Sequence, residues 1–138
     1  MRLFRASGVD HPTTGMLRNM EQGRFVDALR ALRGYREGPL PPPHALARLG
    51  RWHLERGKPK HAALPLRLFL DLYPAHQDGP EVKRDLANAL AQLGRTGEAR
   101  GVLREAASEG MLRDGRRRTH AEREALLAGR GRRREVEG

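Results

Sequence analysis

The sequence predicts an all-α fold built from about three antiparallel helical hairpins in series. Two observations lead there. A triplet of Gly, Ala five residues on and Leu four further on occurs three times, as Gly23, Ala28 and Leu32, then Gly57, Ala62 and Leu66, then Gly94, Ala99 and Leu103. The composition agrees: aromatics make up only 4% and hydrophobic residues 38%, which suits thin layers of Ala and Leu between helices rather than a thick core. At 138 residues one continuous core is expected.

Each triplet has a physical reading. Gly closes a first helix in a left-handed turn that other residues resist. The small Ala lets the second helix approach closely, and Leu lies one turn along the same face. The repeat steps by 34 and then 37 residues, with the extra three assigned to the loop 75–79. Pro59 and Pro80 suit a first helical turn, where a missing N–H is tolerated, and Thr96 is the expected cap of the helix after it. Helices are predicted near 12–22, 24–35, 44–56, 59–73, 81–93 and 97–109. Pro65 falls inside the fourth, where it removes a hydrogen bond and predicts a bend. Beyond Gly110, Thr119 followed by Glu122 forms a capping box that predicts a seventh helix near 119–129. The predicted organisation is an N-terminal extension over 1–9, repeats over 10–112, a basic C-terminal helix over 113–130 and a disordered tail over 131–138.

The repeat resembles the tetratricopeptide family, whose pattern is Trp-x2-Leu-Gly-x2-Tyr, then Ala-x3-Phe, then Pro, over 34 residues. In the middle unit Leu46 stands for the Trp, Leu49-Gly50 match as written and His53 replaces the Tyr. Ala62 matches, Leu66 replaces the Phe and Pro74 closes the unit. The third unit keeps Leu86-Ala87, Leu90, Ala99 and Leu103, with Met111 in place of the closing Pro. The first keeps Gly23, Phe25, Ala28 and Leu32, but Pro12, Gly15 and Asn19 stand at its packing positions. The resemblance spans roughly residues 10–112. It implies a right-handed α-solenoid of about three hairpins with an additional C-terminal helix capping the last one, and a concave groove lined by the first helix of each unit.

By register with the family, that groove would present Leu17, Met20 and Glu21, then Arg48, Arg51 and Glu55, then Arg84, Asn88 and Gln92. The resemblance implies a non-catalytic adaptor or scaffold that binds a partner peptide or helix there, and the Arg content of the groove points to an acidic or C-terminal segment. Arg84 and Asn88, one turn apart, resemble part of the carboxylate clamp of chaperone-binding members. The rest of that clamp is missing: Thr13 and Leu17 stand where its Lys and Asn belong, and Glu81 and Asp85 where it needs bases. The alternative for these residues is a solvated helix face.

The net charge of +10 fits either solubility or an anionic partner. Arg-rich, Ala-rich and Gly-rich composition is also what a GC-rich genome produces. Arg116, Arg117 and Arg118 with Arg132, Arg133 and Arg134 are the candidate phosphate contacts of a nucleic-acid binder, the second function class. Against it, these runs carry no aromatic residue to stack on bases and are interleaved with Glu122, Glu124, Glu135 and Glu137. The weak first unit also leaves an open end where self-association is possible.

Catalytic and metal chemistry find little support. The chain has no cysteine, which excludes disulfides, thiolate zinc sites and a cysteine nucleophile. His53 at the family's interior Tyr position reads as core, His44 and His61 are isolated, and His120 with Glu124 is two ligands short of a zinc site. No Ser-His-Asp constellation or Gly-rich phosphate loop can be assembled, so no enzyme, metal or cofactor is expected. Trp52, Phe69 and Tyr73 read as packing residues, with Trp52 close enough to the groove to anchor a partner. Residues 1–8 have positive charge without an apolar stretch behind it, and no run approaches the roughly 20 apolar residues of a membrane span, which predicts a soluble cytoplasmic protein.

Overall fold

The computed structural model describes residues 10–117, with side chains through residue 109. Six helices form: α1 (Pro12–Glu21), α2 (Phe25–Leu32), α3 (Pro43–Glu55), α4 (Pro59–Leu72), α5 (Gly79–Gln92) and α6 (Thr96–Arg117). No strand occurs among the described residues. Helices α1 and α2 pack together, as do α3 and α4, and α4 packs on α5; α3 also touches α5, and α2 touches α3 and α4. Packing divides the chain at residue 106. The hairpins and the first half of α6 form one compact unit, and helical residues 107–117 begin a second.

The three repeat glycines do what their spacing requires. Gly23, Gly57 and Gly94 have φ of 73°, 69° and 81°. Each is followed by the same pair of bonds: at the second turn, the N–H of Gly57 donates to the Leu54 carbonyl at 3.1 Å and that of Lys58 to His53 at 2.9 Å. Gly23 with Arg24 and Gly94 with Arg95 repeat the pattern, so all three hairpins turn through a Schellman motif that satisfies the last carbonyls of the first helix.

Proline sets the starts. Pro12, Pro43, Pro59 and Pro80 stand in the first turns of α1, α3, α4 and α5. At α1 the cap is His11, whose Nδ1 accepts from the Thr13 N–H at 3.1 Å. That leaves Nε2 to donate to the Glu37 carbonyl at 2.6 Å. Thr13 Oγ1 donates to the Pro39 carbonyl and the Tyr73 hydroxyl to that of Pro41, each at 2.6 Å, so the second half of the α2–α3 connection is tied to α1 and to the end of α4.

Several boundaries differ from the sequence reading. Helix α2 stops at Leu32 rather than near 35, because Gly34 and Tyr35 donate to carbonyls only three residues back. Helix α5 starts two residues early, at Gly79. Thr96 is the first helical residue rather than the cap, a position that Arg95 fills, its carbonyl accepting from Ala99. Helix α6 runs to Arg117 instead of ending near 109, since Met111 stands where a proline closes the middle unit. Residues 113–117 therefore continue α6. The helix predicted over 119–129 and the tail over 131–138 lie outside the described residues, as does the extension over 1–9.

Helix α4 continues through Pro65, which is fully buried; the His61 carbonyl has no N–H at that position to receive. The core runs through the described hairpins, with Met16, Leu32, Leu46, Leu49, Leu66, Phe69 and Leu90 almost fully buried. The repeat alanines Ala28, Ala62 and Ala99 are buried in turn. Helices α3 and α4 meet so closely at Gly50 that a Cβ there would lie 2.5 Å from Leu66 Cδ2. His53 is buried as a packed imidazole, 3.3 Å from the Phe25 carbonyl through Nε2 and edge-on to Trp52 and His61.

Candidate partner-binding groove

Helices α3 and α5 are the first helices of consecutive units, and a cavity of about 350 Å³ lies between them. Helix α3 contributes His44, Ala47, Arg48, Arg51, Trp52 and Glu55, successive turns of one face. Asp78 and the first turn of α5, Glu81 and Val82, form the other wall. Ala47, Trp52 and Val82 supply the apolar surface and the charged residues the rim.

Arg51 bridges the two helices. One of its guanidinium nitrogens donates to Glu81 Oε1 at 2.5 Å and to Asp85 Oδ2 at 3.2 Å. The bond to Glu81 holds the guanidinium pKa above its ordinary value, opposed by partial burial and reinforced by Asp85. Asp85 moves up from the usual carboxylate range because burial, with help from Glu81 and Glu55, outweighs the pull of Arg51. Arg48 is exposed and leans on an aromatic ring, its guanidinium carbon 5.3 Å from the Phe25 centroid. Glu55 is exposed at the last turn of α3.

Trp52 is half-buried and held from two directions. Phe25 stacks on it with centroids 4.9 Å apart, and the Arg56 guanidinium carbon lies 3.7 Å from the indole centroid. The indole therefore enters the cavity wall as a fixed element.

The residues named from sequence separate into three groups. Arg48, Arg51 and Glu55 come together in the cavity. Arg84, Asn88 and Gln92 are exposed on α5 and do not line it; Gln92 Nε2 donates to Asn88 Oδ1 at 2.9 Å. In the first unit Met20 faces the core, one turn after the buried Met16, while Leu17 is half-buried and Glu21 exposed. Thr13 is buried and serves the α2–α3 connection. Arg116 and Arg117 fall in α6 beyond the described side chains, and Arg118, Arg132, Arg133, Arg134, His120 and Glu124 lie outside the described residues.

Sequence reasoning missed the wall formed by Asp78, Glu81 and Val82. It noted Glu81 and Asp85 only as residues standing where a carboxylate clamp needs bases. A signal was present: Asn88 is the counterpart of Arg51 at the second repeat step, and Glu81 and Asp85 lie on its helix face up to two turns earlier.

Among the described residues, no three His, Asp or Glu side chains are grouped to hold a metal ion, and no helix is long and apolar enough to cross a membrane. No protein-family model matches the chain, and no curated protein does.

Proposed function

We propose that this chain is a non-catalytic, cytoplasmic protein-interaction module, a right-handed tetratricopeptide-like solenoid with a C-terminal capping helix, that seats a segment of a partner protein between the first helices of successive hairpins. The observation that carries this reading is the cavity between α3 and α5, with an apolar floor at Ala47, Trp52 and Val82 under a charged rim. A concave surface with a rigid aromatic and a polar border is what a peptide side chain needs for burial and orientation. The three Schellman turns at the repeat step and the packing of α3 on α5 support the stacked-hairpin arrangement. Glu81 engages Arg51 and His53 is packed in the core, so neither is poised for proton transfer to a bound substrate.

The test is affinity recovery from host extract using the full chain and a chain ending after Arg117, which keeps every described residue of α6. Both are run with and without nuclease and at two salt concentrations, beside an Ala47→Gln variant that fills the cavity floor. A nuclease-resistant protein recovered by both chains and lost with Ala47→Gln is the expected result. Nucleic acid recovered by the full chain alone, and released by salt, would replace this reading with phosphate binding that depends on Arg118, Arg132, Arg133 and Arg134, the members of the two Arg runs that the shorter chain lacks.

A further inference from the structure

The groove between α3 and α5 is opposite in sign to the chain that carries it. The whole chain has a net charge of +10. Two guanidinium groups, Arg48 and Arg51, and three carboxylates, Glu55, Asp78 and Glu81, line the cavity, with Asp85 held by Arg51 and the Arg56 guanidinium against the Trp52 ring. Arg51 is already shared by Glu81 and Asp85, and Arg48 rests on the Phe25 ring. Asp78 lies 3.8 Å from the His76 ring, so the excess rests chiefly on Glu55 and on Glu81, which shares Arg51 with Asp85. A bias toward Arg across the chain works against such a patch, so composition does not account for it. The chain's overall positive charge repels a cation only at long range, and at physiological ionic strength that field is screened beyond about 8 Å. Inside the groove the nearby carboxylates decide.

Building on the groove reading above, we infer that the occupant is a peptide segment of a partner protein that presents a Lys or Arg beside an apolar side chain. The apolar side chain packs on Ala47, Trp52 and Val82, and the cation meets Glu55 and Glu81. This reverses the acidic partner that the Arg content of the groove helices suggests.

The experiment selects a phage-displayed random dodecapeptide library on the immobilised full chain at physiological salt. The best binder is then synthesised and titrated against wild type, Glu55→Lys and Ala47→Gln. Glu55 is exposed at the end of α3, where a Lys also suits the helix dipole, and unchanged thermal melts verify both variants. Selected peptides carrying Lys or Arg within a turn of a Leu, Met or aromatic residue are expected. Glu55→Lys should weaken the best binder about tenfold, and exchanging the peptide's Lys for Glu should restore binding to that variant. Acidic winners that lose binding with Ala47→Gln would overturn the charge assignment and leave the groove reading standing. No winners, or winners indifferent to both variants, would overturn the groove reading as well. A Glu55-dependent dimer in sedimentation would make a second copy the occupant and overturn the inference.

Discussion

His53 illustrates how a single side chain carries a consequence for the whole fold. Its burial pushes the imidazole pKa down, the Phe25 carbonyl pulls it partly back, and His61, Arg33 and Arg56 push it down further. The folded state therefore holds the neutral ring, whereas the unfolded chain takes up a proton near pH 6.5. Between the two pKa values the unfolded state binds more protons, so stability is full above about pH 6.5 and declines as pH falls through that value. Urea unfolding at about pH 7.5 and about pH 5.5 should show the midpoint falling at the lower pH. A His53→Gln chain should be less stable at the higher pH and show a smaller fall. An equal fall in both would assign the effect to other groups.

At the scale of elements, three glycines with one sequence identity should respond differently to the same substitution. Gly57 has φ of 69° with open space around it, so Gly57→Ala incurs only left-handed backbone strain and should lose about 1 kcal/mol. Gly50 is helical, and a Cβ there would meet Leu66 Cδ2 at 2.5 Å and Cγ at 2.6 Å. Alanine's helical preference returns about 1 kcal/mol, while overpacking costs about 1–3 kcal/mol, so Gly50→Ala should be neutral to destabilising by up to about 2 kcal/mol. Gly101 lies inside α6 with nothing within 4 Å, and Gly101→Ala should stabilise by about 0.5–1 kcal/mol. Chemical denaturation of the three variants checks this ranking. A destabilised Gly101→Ala would contradict the packing described for α6.

Across the whole molecule, equivalent repeat positions are not equivalent in energy. Leu32 is 2% exposed and Leu66 fully buried, whereas Leu103, the same position in the third unit, is 46% exposed. Leu32→Ala should lose about 2–5 kcal/mol through the cavity it leaves, and Leu103→Ala should stay within about 0.5 kcal/mol of wild type. Thermal or urea unfolding of the pair makes the comparison directly. A large loss at Leu103 would mean that this end of the array is covered in solution.

The sequence by itself determined the helical class, the three left-handed turns and the helix starts at Pro59 and Pro80, because each depends on local backbone chemistry within about one hairpin. The repeat spacing also identified Ala28, Ala62 and Ala99 as close-approach positions, and the family resemblance marked His53 as core. Only the tertiary structure decided which charged residues meet. Arg51 reaches Glu81 and Asp85 across 30 and 34 residues, a contact that depends on how α3 packs on α5 and that no local spacing encodes. The same packing left Arg84, Asn88 and Gln92 outside the cavity, and the packing of the first hairpin buried Met20. Charge in a groove is a property of neighbouring helices taken together, which is why a chain rich in Arg lines this cavity with more carboxylates than guanidinium groups.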